Sequence, residues 1–249
     1  MASLRSHWAA GLDPVILARQ VEVEPDPWQA AVLRSRSRRL HLNCARQIGK
    51  STTASLIALH TALYTPGSLT LVVSKAEDQA NELFKKIKAF YYQVGRPVEA
   101  SQENVSTLVL ENGSRILSKA ATAGGIRGYS VHLLLVDEGA YVDDEVWKAV
   151  NPSVSMTRGR IVAMSTPNGP QGWWYDVSPT GTLGAQWEHV VVPVTECPRH
   201  TPDSIADLRD SMSDREFRQE YLCEFIDAAG TSFTKEDIDS IWAEETTAA

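Results

Sequence analysis

At 249 residues and 43% hydrophobic, the chain is long enough to bury one large core, or one core with a small appendage. Its formal net charge of −7 argues against a constitutive nucleic-acid binder, so contact with DNA or RNA is expected to be local, transient or made by an assembly. The widely spaced Cys44, Cys197 and Cys223 exclude a disulfide framework and fit a reducing cytoplasm; no Cys/His cluster has zinc spacing, and neither a signal peptide nor an apolar run of about 18 residues is found.

Asp13 before Pro14 predicts a helix over residues 14–20, with Asp13 as its cap. Asp26-Pro27 opens a second helix that carries Trp28 and Gln29. A Gln amide matches the hydrogen-bonding edge of adenine, and the same stretch also reads as an exposed helix start with a packed Trp28. The basic run Arg34–Arg39 suits either a phosphate-backbone contact or a solvated connection.

Residues 39–43 read as a strand and residues 52–60 as a helix. Between them lies Cys44-Ala45-Arg46-Gln47-Ile48-Gly49-Lys50-Ser51. Strand, loop, then Gly-Lys-Ser opening a helix is the context of a phosphate-binding loop, whose backbone N–H groups point at an anion. Lys50 is expected to reach the β- and γ-phosphates of ATP, and Ser51 to bind Mg²⁺. Cys44 stands where the motif begins with glycine, whereas Gly49 is kept. The ATP-binding set is thus Trp28, Gln29, Cys44, Ala45, Arg46, Gln47, Ile48, Gly49, Lys50, Ser51 and Thr52.

Leu69–Ser74 reads as a buried strand. Residues 77–92 read as a helix whose apolar face is Ala80, Leu83, Phe84, Ile87 and Tyr91, with Lys85, Lys86 and Lys88 on a solvated surface. Asn112-Gly113 between two short apolar runs predicts a hairpin, hence an antiparallel edge on a parallel sheet. A glycine-rich loop over residues 122–129 carries Arg127. The continuous apolar run Val131–Val136 then ends in Asp137-Glu138, the pattern of a doubly buried parallel strand with its acids where open α/β sheets bind ligands. Asp137 is expected to hold Mg²⁺ and Glu138 to act on the attacking water.

A short helix is expected over residues 143–150, then a strand over 160–165 followed by the Thr166-Pro167-Asn168-Gly169 turn, and a further strand from Glu188. From Pro202 the pattern becomes helical. Phe217, Tyr221 and Phe225 at i, i+4, i+8 predict one aromatic helix stripe over residues 214–225.

In order and spacing these segments carry a resemblance. Pro27-Trp28-Gln29, Arg46-Gln47-Ile48-Gly49-Lys50-Ser51, Ile126-Arg127-Gly128, Leu135-Val136-Asp137-Glu138, Ser165–Gly169 and Phe217…Glu220-Tyr221…Phe225 resemble the ATPase domain of the large terminase subunit of tailed bacteriophages. Arg-Gln ahead of Gly-Lys is itself a habit of that family, which excuses the missing first glycine. The resemblance implies an α/β P-loop NTPase of the ASCE type, mainly parallel, with the catalytic-glutamate strand beside the loop strand. It implies a core over residues 1–195, a helical lid over 196–233 and a linker over 234–249.

It further implies that Arg46 contacts the γ-phosphate and that Arg127 acts in the ATP site of a neighbouring subunit. Lys50 and Glu138 complete the catalytic set, and Ser165, Thr166 and Asn168 belong to a motif coupling hydrolysis to movement. The expected partners are double-stranded DNA, neighbouring subunits in a ring (a pentamer when assembled, a monomer in isolation), a portal protein and a small terminase subunit, with no membrane. The expected location is the host bacterial cytoplasm, on the procapsid. Such proteins usually continue into a nuclease domain, which this sequence has no room for, so no DNA cleavage is expected. Another P-loop translocase or helicase, or a ring-assembly module with little turnover, are the alternatives; Glu138 disfavours the last.

Overall fold

The computed structural model describes residues 4–122 and 128–227. Among these, the strands are β1 (Arg39–Cys44), β2 (Leu69–Ser74), β3 (Ala100–Glu103), β4 (Thr107–Leu110), β5 (Arg115–Ala120), β6 (Leu133–Asp137), β7 (Arg160–Ser165) and β8 (Glu188–Val192). They form one sheet in the order β3-β4-β5-β2-β6-β7-β1-β8. From β5 to β8 every pairing is parallel, and β3 and β4 add the antiparallel edge that the Asn112-Gly113 turn predicts. β3 itself, a mostly exposed strand, has no apolar signal to announce it.

The continuous apolar runs have a simple cause. Successive side chains of a strand point to opposite faces, and both faces of this sheet are covered. On one face, Leu40, Leu42, Val162 and Met164 pack with helix α4 (Lys50–Tyr64) and helix α5 (Glu77–Gln93). On the other, Ile161, Ala163, Leu134 and Val136 pack with Trp147, Trp173, Trp174 and Trp187. The whole predicted apolar face of α5, from Ala80 to Tyr91, is buried. Three short helices precede β1: α1 (Leu4–Leu12), α2 (Pro14–Gln20) and α3 (Pro27–Arg34). Asp13 caps α2 as expected, its carboxylate accepting from the Val15 N–H.

Two expectations are corrected. The glutamate strand β6 does not lie beside the loop strand β1: β7 is inserted between them, pairing with both. Strand order is a tertiary matter, and β7 follows both partners in sequence. The aromatic stripe is also broken. After α6 (Asp144–Val150) and α7 (Gly172–Asp176), helix α8 (Pro202–Asp210) is followed by α9 (Asp214–Glu220), which stops before Phe225. Asn43 Nδ2 donates to the Cys223 carbonyl at 2.9 Å and the Val194 N–H to the Tyr221 carbonyl at 2.8 Å, so the chain leaves the helix for the sheet edge, with Cys223 left-handed. Phe217 and Tyr221 join the first core layer, whereas Phe225 packs against the second, its ring 5.1 Å from that of Tyr175.

The tryptophan layer encloses His41 of β1. It is fully buried, its ring 4.0 Å from Trp174 and 5.5 Å from His189, and neither ring nitrogen has a hydrogen-bond partner. Burial, and secondly His189, pushes its pKa down to about 3. An unfolded histidine titrates near 6.5, so below that pH the unfolded chain takes up a proton the folded chain refuses. Stability should fall on acidification from about pH 6.5 towards 3, by up to about 1.4 kcal/mol per pH unit from this group. Thermal unfolding at pH 7 and pH 5 should show a smaller loss for His41→Phe than for the wild type; equal losses would remove His41 from the account.

Candidate active site

The site lies at the C-terminal ends of β1, β6, β7 and β2, where parallel strands feed loops that face one cleft. β1 ends at Cys44, and this explains the missing glycine. Cys44 is the last residue of a regular strand, paired with Val192, its side chain fully buried. Nothing there demands positive φ. Positive φ comes later in the loop, at Gln47 (59°) and at Gly49, which caps α4 at φ 98°, and a Cβ on Gly49 would stand 2.6 Å from Gln29 Nε2.

The loop is braced from behind. Gln29 is buried; its Oε1 accepts from the Asp26 N–H at 2.9 Å and its Nε2 donates to the Gly49 carbonyl at 3.3 Å. Arg199, just before α8, donates to the Ile48 carbonyl at 2.6 Å and pairs with Asp26 at 2.7 Å. Both ends of the Gln29 amide are thus engaged with backbone, and in this arrangement Gln29 braces the loop. Trp28 packs against the core beside it. The side chains of Cys44, Ala45 and Ile48 are fully buried, so these residues meet a ligand only through backbone.

In front of the loop is a cleft of about 800 Å³. Arg46, Gln47, Gly49, Lys50, Ser51, Thr52 and Glu138 of the expected set line it. Lys75, Gln79, Lys86 and Tyr141, which the sequence did not single out, line it too. Lys75 stands just past the end of β2, and the rule that found Asp137 could have found it. Lys86 is exposed, as expected of its helix face, and its ammonium lies 3.4 Å from Thr52 Oγ1 at the cleft wall. Lys50 Nζ is held by the Cys44 and Ala45 carbonyls at 2.8 and 2.9 Å, which poises the cation over the loop. Arg46 is half-exposed and paired with Glu220 of α9 at 2.7 Å, while the Tyr141 hydroxyl stands 3.5 Å from the other Glu220 oxygen.

Asp137 and Glu138 differ in environment. Asp137 ends β6 almost fully buried, and burial first, then Glu138, lifts its carboxyl to about 6 against the pull of Lys50. A carboxylate so desolvated is one that a divalent cation would hold ionised, so Asp137 fits a Mg²⁺ ligand, and the Ser51 hydroxyl on the cleft wall is the second donor that the sequence names. Glu138 is half-buried and left-handed, at φ 49° and ψ 48°. A non-glycine residue is held there at a cost of about 1 kcal/mol or more, which is characteristic of functional turns. Its N–H bonds Asp137 Oδ1 at 3.0 Å, and the Ser165 hydroxyl donates to its Oε2 at 3.3 Å. The inserted β7 therefore delivers Ser165 straight to Glu138. Thr166 is buried behind it, and Asn168 lines an adjoining recess that shares Lys75 and Tyr141 with the cleft. Arg127 lies outside the described residues, as do the residues from 228 onward. No cluster of three or more His, Cys, Asp or Glu that could hold a metal occurs among the described residues.

A model for the N-terminal part of the terminase large subunit, T4likevirus-type, matches residues 42–240. The large terminase subunit of Thermus phage G20c is 25% identical over 257 aligned residues, covering 86% of this chain and 51% of that protein. The chain therefore spans about half the length of the curated relatives it matches first. In fold, the large-terminase ATPase domain of Thermus phage P74-26 superposes with a TM-score of 0.75 at 23% identity, over 84% of this chain and 97% of that one. A large terminase from a thermophilic bacteriophage, solved in complex with ATP-gamma-S, gives 0.61 at 11% identity, over 80% of this chain and 52% of that one. With a family model spanning most of its length and both the loop and the Asp-Glu strand in place, the chain belongs to the terminase large subunit family.

Proposed function

We propose that this chain is an ATP-hydrolysing motor domain that drives double-stranded viral DNA into a procapsid. The observation that carries the hydrolytic part is the placing of Glu138, held left-handed and bonded to Ser165, on the wall of the same cleft as Lys50. A pure binding module has no use for a constrained carboxylate there. ATP would lie along the loop, its phosphates met by backbone N–H groups, Lys50 and Arg46, with Lys75 and Lys86 adding positive charge along the cleft. Glu138 would orient the attacking water or take its proton. Ser51 and Asp137 would hold Mg²⁺, which supplies charge neutralisation on the phosphate oxygens. The thermophilic-phage relative solved with ATP-gamma-S supports the nucleotide class.

For Arg46 to meet a γ-phosphate, it must share or leave Glu220, and α9 would feel the change. This gives the proposed lid a direct link to the nucleotide. Ser165, Thr166 and Asn168 would form the other link. Neighbouring subunits in a ring, a portal protein and a small terminase subunit would be its partners, and the procapsid in the host cytoplasm its site of action; family membership supports DNA and packaging partners in general, and no helix among the described residues is long and apolar enough to cross a membrane.

Steady-state ATP turnover, with Lys50→Ala alongside, tests the proposal. Losing one charge-assisted contact should weaken nucleotide binding by about 10–100-fold, with turnover falling alongside it. Near-normal turnover in Lys50→Ala would sink the assignment of the cleft.

A further inference from the structure

The opposite end of the sheet carries a second charged feature. Arg36, Arg38 and Arg39 lead into β1, and Arg158 and Arg160 lead into β7. β1 and β7 are parallel neighbours with Arg39 level with Ile161, and the Ile161 N–H donates to the Arg38 carbonyl at 2.8 Å. All five arginines therefore stand on one rim, at the N-terminal ends of the strands whose C-terminal ends build the nucleotide cleft. Arg38, Arg39 and Arg158 line a recess of about 520 Å³, and Arg34, Arg36 and Arg160 line another of about 530 Å³.

Of the arginines elsewhere, Arg19, Arg46, Arg96, Arg199 and Arg218 each have a carboxylate partner, while Arg115, Arg209 and Arg215 have none among the described residues. On the rim, Arg34 takes Asp13 at 2.7 Å, and Glu188 accepts from the Ser35 hydroxyl at 2.7 Å. Arg36, Arg38 and Arg158 are exposed, with no carboxylate partner among the described residues. Arg160 is the most telling. Its Nε and one terminal nitrogen are buried with no hydrogen-bond partner. A desolvated guanidinium without an acceptor is costly, and its recess opens beside it. In a chain of net charge −7, this concentration of unpaired cations is a local inversion of sign.

We infer that this rim binds the phosphate backbone of duplex DNA. The chemistry fits a polyphosphate: guanidiniums able to fork two oxygens, with the Ser155 hydroxyl beside Arg38, Arg39 and Arg158 in one of the two recesses. The location suits a motor. β1 and β7 run from this rim to the phosphate loop and to Ser165, so a load on the rim is applied to strands that end in the site. The inference rests on the motor reading only for naming the polyanion as duplex DNA.

The test is fluorescence anisotropy of a labelled duplex with the whole chain across a salt series. The variant is Arg36→Gln/Arg38→Gln/Arg158→Gln, all exposed positions; the control is Arg19→Gln/Lys85→Gln/Arg96→Gln, which removes the same charge elsewhere. Each lost phosphate contact should flatten the slope of log affinity against log salt by about 0.9, so the rim variant should lose about 2–3 of slope while the control keeps it. ATP turnover without DNA should be the same in all three proteins. No duplex binding by the wild type at about 20 mM salt would overturn the inference. So would equal losses in variant and control, or displacement of the duplex by polyglutamate as readily as by unlabelled DNA, which would assign the rim to an acidic protein. Rim binding with no ATP turnover in the wild type would uphold the rim and overturn the motor reading.

Discussion

Glu138→Gln should bind ATP as the wild type does while steady-state turnover falls by about 10²–10⁴-fold, the usual worth of a general base or water-positioning group. The substitution keeps the shape of the side chain, and its amide oxygen can still accept from Ser165, whose hydroxyl now bonds the carboxylate at 3.3 Å. The backbone N–H that bonds Asp137 is untouched. The left-handed turn should therefore survive, and what is lost is the negative charge and the proton-accepting power. Equilibrium nucleotide binding and single-turnover hydrolysis separate the two effects. An equal fall in affinity and turnover would make Glu138 structural or a metal ligand. Asp137→Asn gives the complementary pattern: with a buried carboxylate removed, the dependence of turnover on Mg²⁺ should shift before anything else.

The parts of this site legible in the sequence were those whose cause is local. A strand that ends in a loop, Gly49 at a position of positive φ, and an apolar run that stops at two acids are each set by neighbours in the chain. The parts that were not legible depend on segments far apart in sequence. Arg46 and Glu220 pair across the whole domain, and Gln29 and Arg199 reach the loop from either side of it. Gln29 makes contacts that no motif announces: its amide, which suits adenine, also accepts from the Asp26 N–H and donates to the Gly49 carbonyl. Phe225 shows the same limit for periodicity. An i, i+4, i+8 stripe says that three rings are buried, not that one helix holds them, and here Asn43 draws the chain off the helix before the third.

Arg127→Ala should leave ATP binding intact and lower the turnover of assembled subunits by about 10³–10⁵-fold, the range for an arginine acting on a transferring phosphoryl group. The expectation comes from the Ile126-Arg127-Gly128 motif of the resemblance. The structure bears on its competitor. Arg46 already lines the cleft, and as an arginine acting within its own subunit it would make turnover independent of assembly. It is also tied to Glu220, so its service to the phosphates would come at the expense of that ion pair. A finger supplied by a neighbour predicts instead that activity per subunit rises steeply with protein concentration or with a ring-forming scaffold. Mixing decides between them. In an equimolar mixture of Arg127→Ala and Glu138→Gln subunits, about a quarter of randomly formed ring interfaces join an intact Glu138 site to an intact Arg127 donor. Activity should return to about that fraction of the wild-type rate, although each variant alone is nearly inactive. If Arg127 serves its own subunit, no mixed interface is complete and co-assembled mixtures stay as inactive as their parts.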